Sequence, residues 1–341
     1  MLRIENQRIR LFSTLAGGVF CVAGVSGAQP VDDAASAGEG DPPVVNSRED
    51  YEALDRDERR VFSRARRPDV SYFVDSRGRW SWGAELDDLD GDLSVARLGA
   101  GAGVSFRLDD TTDLIVRMGT EFSFYEFDDA GGIIPSMPSV DEPWDSVHQT
   151  TIAPLVRSLP ESGWQWMLGG RVTSAGEPGA DFSDTLVGGG FALASYDITP
   201  EFRLGAGVNV VTRLEGGLFV FPIPVIQWDV TDDFQIGTTE RGFGATYFFN
   251  PSWSAGVQVS FMRREYRLED DNPVPGGSFT DIRVPVTLAV TYSPSPKVVL
   301  TGRVGSEVWG DLEINDRDEN QVASYDLSSS VLVGFDLRIA F

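Results

Sequence analysis

Tyr325-Asp-Leu-Ser-Ser-Ser-Val-Leu-Val-Gly-Phe-Asp-Leu-Arg-Ile-Ala-Phe341 closes the chain, and its reading decides the fold. Tyr325, Leu327, Val331, Val333, Phe335, Leu337, Ile339 and Phe341 fall on one parity. Ser324, Asp326, Ser328, Ser330, Gly334, Asp336 and Arg338 fall on the other. Successive side chains of a strand point to opposite faces, so this is a strand with one apolar and one polar, charged face.

The pattern recurs upstream. Leu114, Val116, Met118, Phe122 and Phe124 oppose Arg117, Gly119, Glu121 and Ser123. Phe202, Leu204, Ala206, Val208 and Val210 oppose Arg203, Gly205, Gly207 and Asn209. Ile282, Val284, Val286, Leu288, Val290 and Tyr292 oppose Arg283, Thr287, Ala289 and Thr291. Such runs exceed the roughly 5–6 residues of an ordinary globular strand. They match the roughly 9–11 that a tilted strand needs to cross a bilayer.

Connections alternate in length. Short ones stand at 109–112, 160–162, 199–200, 231–233, 250–252 and 294–296; longer, acidic ones at 128–145, 174–184, 268–280 and 310–322. Transmembrane barrels have short turns at one rim and long loops at the other. Six short turns join twelve strands, and a first strand near 79–87 plus the terminal one make about fourteen. Twelve and sixteen stay open, because 219–249 divides in more than one way and Pro222 and Pro224 each lack a ladder donor. Aromatic residues gather beside the short turns (Trp164, Trp166, Tyr196, Trp228, Phe249, Trp253, Tyr292), where an interfacial girdle belongs. The expected fold is an all-β, antiparallel up-and-down transmembrane barrel over 78–341, with a short helix outside it.

The N-terminus reads as an export signal over 1–28. Arg3, Arg8 and Arg10 precede an apolar run from Leu11 to Val25, and Ser26-Gly27-Ala28 supplies small residues for cleavage before Gln29. Residues 29–77 read as an acidic, Pro-containing tether followed by a short periplasmic helix over about 48–66, stopped by Pro68. Cleavage removes the sole cysteine, Cys21, and moves the formal charge from −24 to −26. Such acidity excludes a nucleic-acid binder, which needs a basic stripe.

Chemistry finds little footing. The one histidine, His148, sits near a strand end beside Ser146, Thr150 and Thr151, and adjacency in sequence makes no catalytic pair. One histidine and no mature cysteine leave no usual transition-metal site. Asp87–Asp92 fails as a calcium loop, because Leu86 and Arg97 fall where acids are required. Gly99-Ala-Gly-Ala-Gly103 precedes no helix and reads as small residues on an inner strand face. No catalytic, metal or cofactor residue is assigned, and no enzyme is expected.

One constellation remains. Arg97, Arg107, Arg117, Arg171, Arg203, Arg283, Arg303 and Arg338, with Glu121, Glu307, Asp326 and Asp336, fall on the inner parity. A charge facing lipid near the midplane costs about 2–4 kcal/mol, so these are expected to line the lumen, either pairing across it or facing a permeant.

The chain as a whole resembles bacterial outer-membrane β-barrels. Tyr325, Val333, Phe335, Leu337, Ile339 and terminal Phe341 resemble the signal read by the barrel assembly machinery. More narrowly, Phe221-Pro-Ile-Pro-Val-Ile-Gln-Trp228, Gly242–Tyr247 and Tyr266-Arg-Leu268 resemble an uncharacterised outer-membrane barrel family. The resemblance implies outer-membrane location, lipid and the assembly machinery as partners, and a porin-like channel for small solutes. Its alternatives are a non-conducting interaction barrel with acidic loops and, more remotely, a lipid-modifying enzyme resting on His148.

Overall fold

The computed structural model describes residues 69–341 apart from 161 and 240, and they form a closed antiparallel barrel. In chain order the strands are β1 (Val70–Glu85), β2 (Asp92–Arg107), β3 (Thr112–Asp128), β4 (Ser146–Ser158), β5 (Trp164–Gly176), β6 (Leu186–Thr199), β7 (Phe202–Thr212) and β8 (Leu218–Thr231). They continue as β9 (Phe234–Thr239), β10 (Gly242–Asn250), β11 (Trp253–Ser260), β12 (Met262–Arg267), β13 (Ser278–Ser295), β14 (Val298–Asn315), β15 (Gln321–Leu327) and β16 (Ser330–Ala340). Fourteen close the ring, with β1 paired to β16 and β13 to β14; β12 and β15 stand outside it. The signal, most of the tether and the expected helix lie outside the described residues. The barrel begins at Val70, before the expected start at 78, so Phe73, Asp75 and Arg77 belong to the wall.

All six short connections fall between paired strands, at β2–β3, β4–β5, β6–β7, β8–β9, β10–β11 and β13–β14. Beside them Trp164 faces Tyr196 with ring centroids 5.1 Å apart, Trp253 faces Tyr292 at 4.5 Å, and Phe202 opposes Trp228. Above this girdle the outward parity is an exposed apolar belt, including Leu98, Met118, Phe122, Ile152, Leu168, Val208, Val257, Leu288, Val304 and Val333. A continuous belt of that kind suits hydrocarbon rather than water.

The inner parity is crowded, and glycines make the room. A Cβ on Gly99 would sit 3.0 Å from Arg77 Nε, one on Gly101 3.0 Å from Asp75, and one on Gly103 2.3 Å from the Phe73 ring. The Gly-Ala alternation therefore lets β1 side chains lie flat across β2.

The long-loop half departs from a plain cylinder. Ser260, Pro285, Glu307 and Ser330 lie in one row across neighbouring strands, and each marks an irregularity. β11 gives way to β12 after Ser260, the β13–β14 ladder shifts register between Val284 and Pro285, and β15 is separated from β16 by Ser328 and Ser329. Bulges bend strands, and a proline removes a ladder donor. Beyond this crease β12, the ends of β13 and β14, and β15 turn inward across the lumen. Arg267 of β12 reaches Gly176 of β5, diametrically opposite β13 in the ring.

The crease corrects the reading of the terminal segment. Parity flips at Ser328-Ser329, so Tyr325 and Leu327 are buried on the inner side, while Val331, Val333 and Phe335 face outward. Asp326, expected in the lumen, is exposed on β15 opposite Asp311.

Candidate functional site: the lumen

Three layers fill the barrel interior. At the long-loop end lies an apolar core, including Leu86, Val95, Phe127, Ile133, Ile134, Trp144, Tyr266, Leu268, Phe279, Leu312 and Tyr325. Trp144 stacks on Phe279 at 4.0 Å, and Tyr125 meets the same ring edge-on at 5.4 Å. The loop expected at 128–145 as a free acidic stretch thus carries Ile133, Ile134 and Trp144 into this core. Loop 268–277 packs beside it, with Asn272 Nδ2 donating to Pro143 O at 2.7 Å and to Glu177 Oε2 at 3.0 Å. Burial pushes the Glu177 carboxyl above its ordinary range.

The middle layer is ionic. Asp281 accepts from Arg97, from Arg283 Nε at 2.6 Å and from Tyr125 Oη at 2.9 Å. Arg283 Nη1 continues to Glu307 at 3.0 Å, which also accepts from Ser330 Oγ at 3.2 Å. Glu121 on β3 joins Arg264 of β12 at 2.9 Å and Arg77 of β1 at 3.0 Å. Arg117 pairs with Asp75, and Asp336 bridges Arg79 at 2.8 Å and Arg303 at 2.7 Å. Of these, the contacts of Asp281 with Arg97 and Tyr125 and of Glu121 with Arg264 tie the infolded β12–β13 sheet to β2 and β3, and the rest stay within a strand or join near neighbours in the wall. A cavity of about 30 Å³ remains between Asp75, Arg77, Arg117, Glu121, Gln149 and Thr151, room for about two waters.

The third layer, towards the short turns, is apolar: Phe73, Ile115, Leu155 and Phe191 are buried together, with Met167, Leu193, Ile223 and Ala340 against them. Arg338 lies over the Phe73 ring at 4.5 Å. Near the rim, Arg107 pairs with Asp110 at 2.7 Å, Arg157 with Asp113 at 2.7 Å, and Arg203 with Asp197. Arg171 shares the inward parity of buried Thr173.

Asp326, one of the twelve residues expected inside, is exposed on β15. The structure brings Arg97 to Arg283 and Glu307 through Asp281, and Arg303 to Asp336; Arg107, Arg203 and Arg338 sit apart, towards the short turns. Asp281 carries a readable signal, an acid two residues from Arg283 on one strand face. Arg264 carries none, because nothing in the alternation announces β12. His148 faces outward, its ring 6.4 Å from that of Phe122.

The two sides of the lumen differ. Ion pairs crowd β1–β3 and β13–β16, whereas β8 presents Phe219, Phe221, Ile223 and Val225 inward, all only half-buried.

The class so defined is a fourteen-stranded transmembrane β-barrel with an infolded cap. No family model matches the chain, and no curated protein matches it. Among solved structures, the COG4313 outer membrane channel from Pseudomonas putida F1 is similar at 8% identity and a TM-score of 0.46, covering 81% of this chain and 97% of that one. The Pseudomonas putida toluene transporter TodX is similar at 7% identity and TM-score 0.42, covering 82% and 91%. The KdgM porin gives 10% identity and TM-score 0.32, covering 77% and 97%. Likenesses this distant concern barrel architecture alone.

Proposed function

We propose that this chain is an outer-membrane channel that passes small solutes passively along the apolar side of its lumen, beside β5–β8. The observation carrying this reading is the division of the interior. Most of the inner arginines named above are engaged in fixed ion pairs, while Phe219, Phe221 and Val225 line β8 only half-buried and Ile223 packs on the apolar cluster around Phe191. The arginines then hold the cap in place, and the permeant meets hydrocarbon. Placement in the outer membrane is supported by the apolar belt, the aromatic girdle and the terminal strand; a cleaved signal, delivery by the assembly machinery and kinship with the uncharacterised barrel family belong to the same proposal.

The test is uptake of the apolar fluorophore N-phenyl-1-naphthylamine by vesicles containing refolded mature protein, alongside planar-bilayer conductance. Uptake above that of protein-free vesicles supports the channel. A folded barrel without uptake or conductance refutes it and favours a second reading, a non-conducting interaction barrel, for which the packed cap at the long-loop end is the specific support.

A further inference from the structure

The ring of fourteen strands is closed, but its wall is lower on one side. β9 has six residues and β10 nine, against 14 in β8 and 18 in β13. At roughly 3.3 Å per residue and a tilt near 40°, six residues rise about 15 Å along the barrel axis. The apolar band of such a barrel is about 25 Å tall. The β9–β10 hairpin therefore turns back within the hydrocarbon layer.

Above it, the two flanks do not close on each other. The β8–β9 ladder spans Gln227↔Gly237 to Thr231↔Phe234, after which Thr238 Oγ1 links Ile226 N and Pro224 O at 3.0 and 3.2 Å. Those two contacts show which edge the backbone of Pro224 and Ile226 faces: the β9 side. Pro222 shares that parity, so both prolines turn their donor-less nitrogens towards the stretch where no strand is paired. A continuous ladder would leave acceptors unmet there; an opening does not. On the other flank β10 last pairs at Gly242↔Ser260, and β12 then bends into the lumen along β13. The β7–β8 loop forms the upper border: Arg213 Nε donates to Glu265 at 3.2 Å, Leu214 N to Glu265 at 3.1 Å, and Arg267 donates to Leu214 O at 2.6 Å.

Inside the opening stand Phe221, Ile223 and Val225 of β8, and Ile223 packs on the apolar cluster around Phe191. The cap closes the axial route on the long-loop side with a packed apolar core. We infer that the gap between β8 and β12, above the β9–β10 hairpin, is a lateral portal through which a small uncharged apolar solute passes between the lumen and the bilayer interior. This rests on the channel reading for its purpose, but the portal can be tested without transport.

A fluorophore is attached at Phe221→Cys, behind the gap, and separately at Leu193→Cys, inside the fully paired β5–β7 wall. The mature chain has no other cysteine once the signal is removed. Both are refolded into vesicles containing lipid brominated in its acyl chains, with folding checked by resistance to detergent at room temperature. Quenching at Phe221→Cys at least fivefold stronger than at Leu193→Cys is expected; equal quenching at the two sites overturns the portal. Uptake with equal quenching means the passage is axial, so the portal falls and the channel stands. Strong quenching at Phe221→Cys without uptake leaves the portal and removes the channel.

Discussion

Replacing Asp281 by Ala asks whether the ionic layer is dry. Asp281 is fully buried at 0% exposure, and its partners Arg97, Arg283 and Glu307 are 3%, 1% and 2% exposed. Two cations and two anions balance in this group, so Asp281→Ala leaves one positive charge in excess with no water to receive it. Stranding one member of a buried pair costs about 3–5 kcal/mol. Exposed pairs are worth roughly 0–1 kcal/mol, so the two cases separate cleanly. A loss of 4 kcal/mol lowers the folding equilibrium constant by about a thousandfold. The assay is urea unfolding of the refolded barrel in vesicles, followed by tryptophan fluorescence, for Asp281→Ala, Arg97→Met and the double variant. The double variant should be less unstable than the sum of the singles by about 1–3 kcal/mol, since it restores charge balance. A loss below 1 kcal/mol with additive singles would refute the argument, because it would mean that lumen water already screens this pair.

Gly103→Val should destabilise by about 1–3 kcal/mol in the same assay, because its Cβ lands 2.3 Å from the Phe73 ring inside a filled layer. Trp144→Ala removes the ring stacked on Phe279 and should cost about 3–5 kcal/mol, detectable as a lower midpoint. Pro224→Val should change stability by less than about 0.5 kcal/mol, since the donor it restores has no ladder partner; a clear gain would show that the wall is paired there. For Glu177 the sign follows from its raised folded-state pKa. Stability is greatest with the carboxyl protonated and falls as pH rises from the ordinary glutamate range through the raised value. Glu177→Gln should flatten that slope in melting curves recorded across pH, and an unchanged slope would assign it to other groups.

The wall was legible because a membrane barrel obeys one local rule. Each strand must show hydrocarbon one face, so Met118, Leu204, Leu288 and Val333 declare their side without knowledge of their neighbours. Turn lengths then order the strands, and all six short turns stood where Pro, Asp and Asn placed them. The cap was illegible because its determinants are not periodic. Tyr266 and Phe279 sit in acidic, loop-like surroundings, and their burial depends on partners such as Tyr125 and Trp144, more than 100 residues away in sequence. Arg97 could be placed inside from parity, but its partner Asp281 approaches only once the sheet has folded over.

That folding has a local cause with a distant effect. Ser260, Pro285, Glu307 and the Ser328–Ser330 run each look unremarkable alone, yet the register stacks them in one row. A proline that cannot donate, a skipped Val308 and a two-serine break weaken the ladders joining four adjacent strands at one height, so the sheet bends there rather than curving smoothly. Bending moves β12 out of the wall, and the same movement that seals the long-loop mouth therefore leaves β8 without a neighbour above β9. Cap and portal are then two consequences of one crease. Replacing Pro285 by Val and deleting Val308 to restore continuous register should straighten β13 and β14, loosen the contacts of Arg97 and Arg264 with the opposite side, and expose Trp144. Tryptophan emission shifted to the red, with weaker acyl-bromine quenching at Phe221→Cys, would be the paired signature. A red shift with undiminished quenching would separate the two features and refute their common origin.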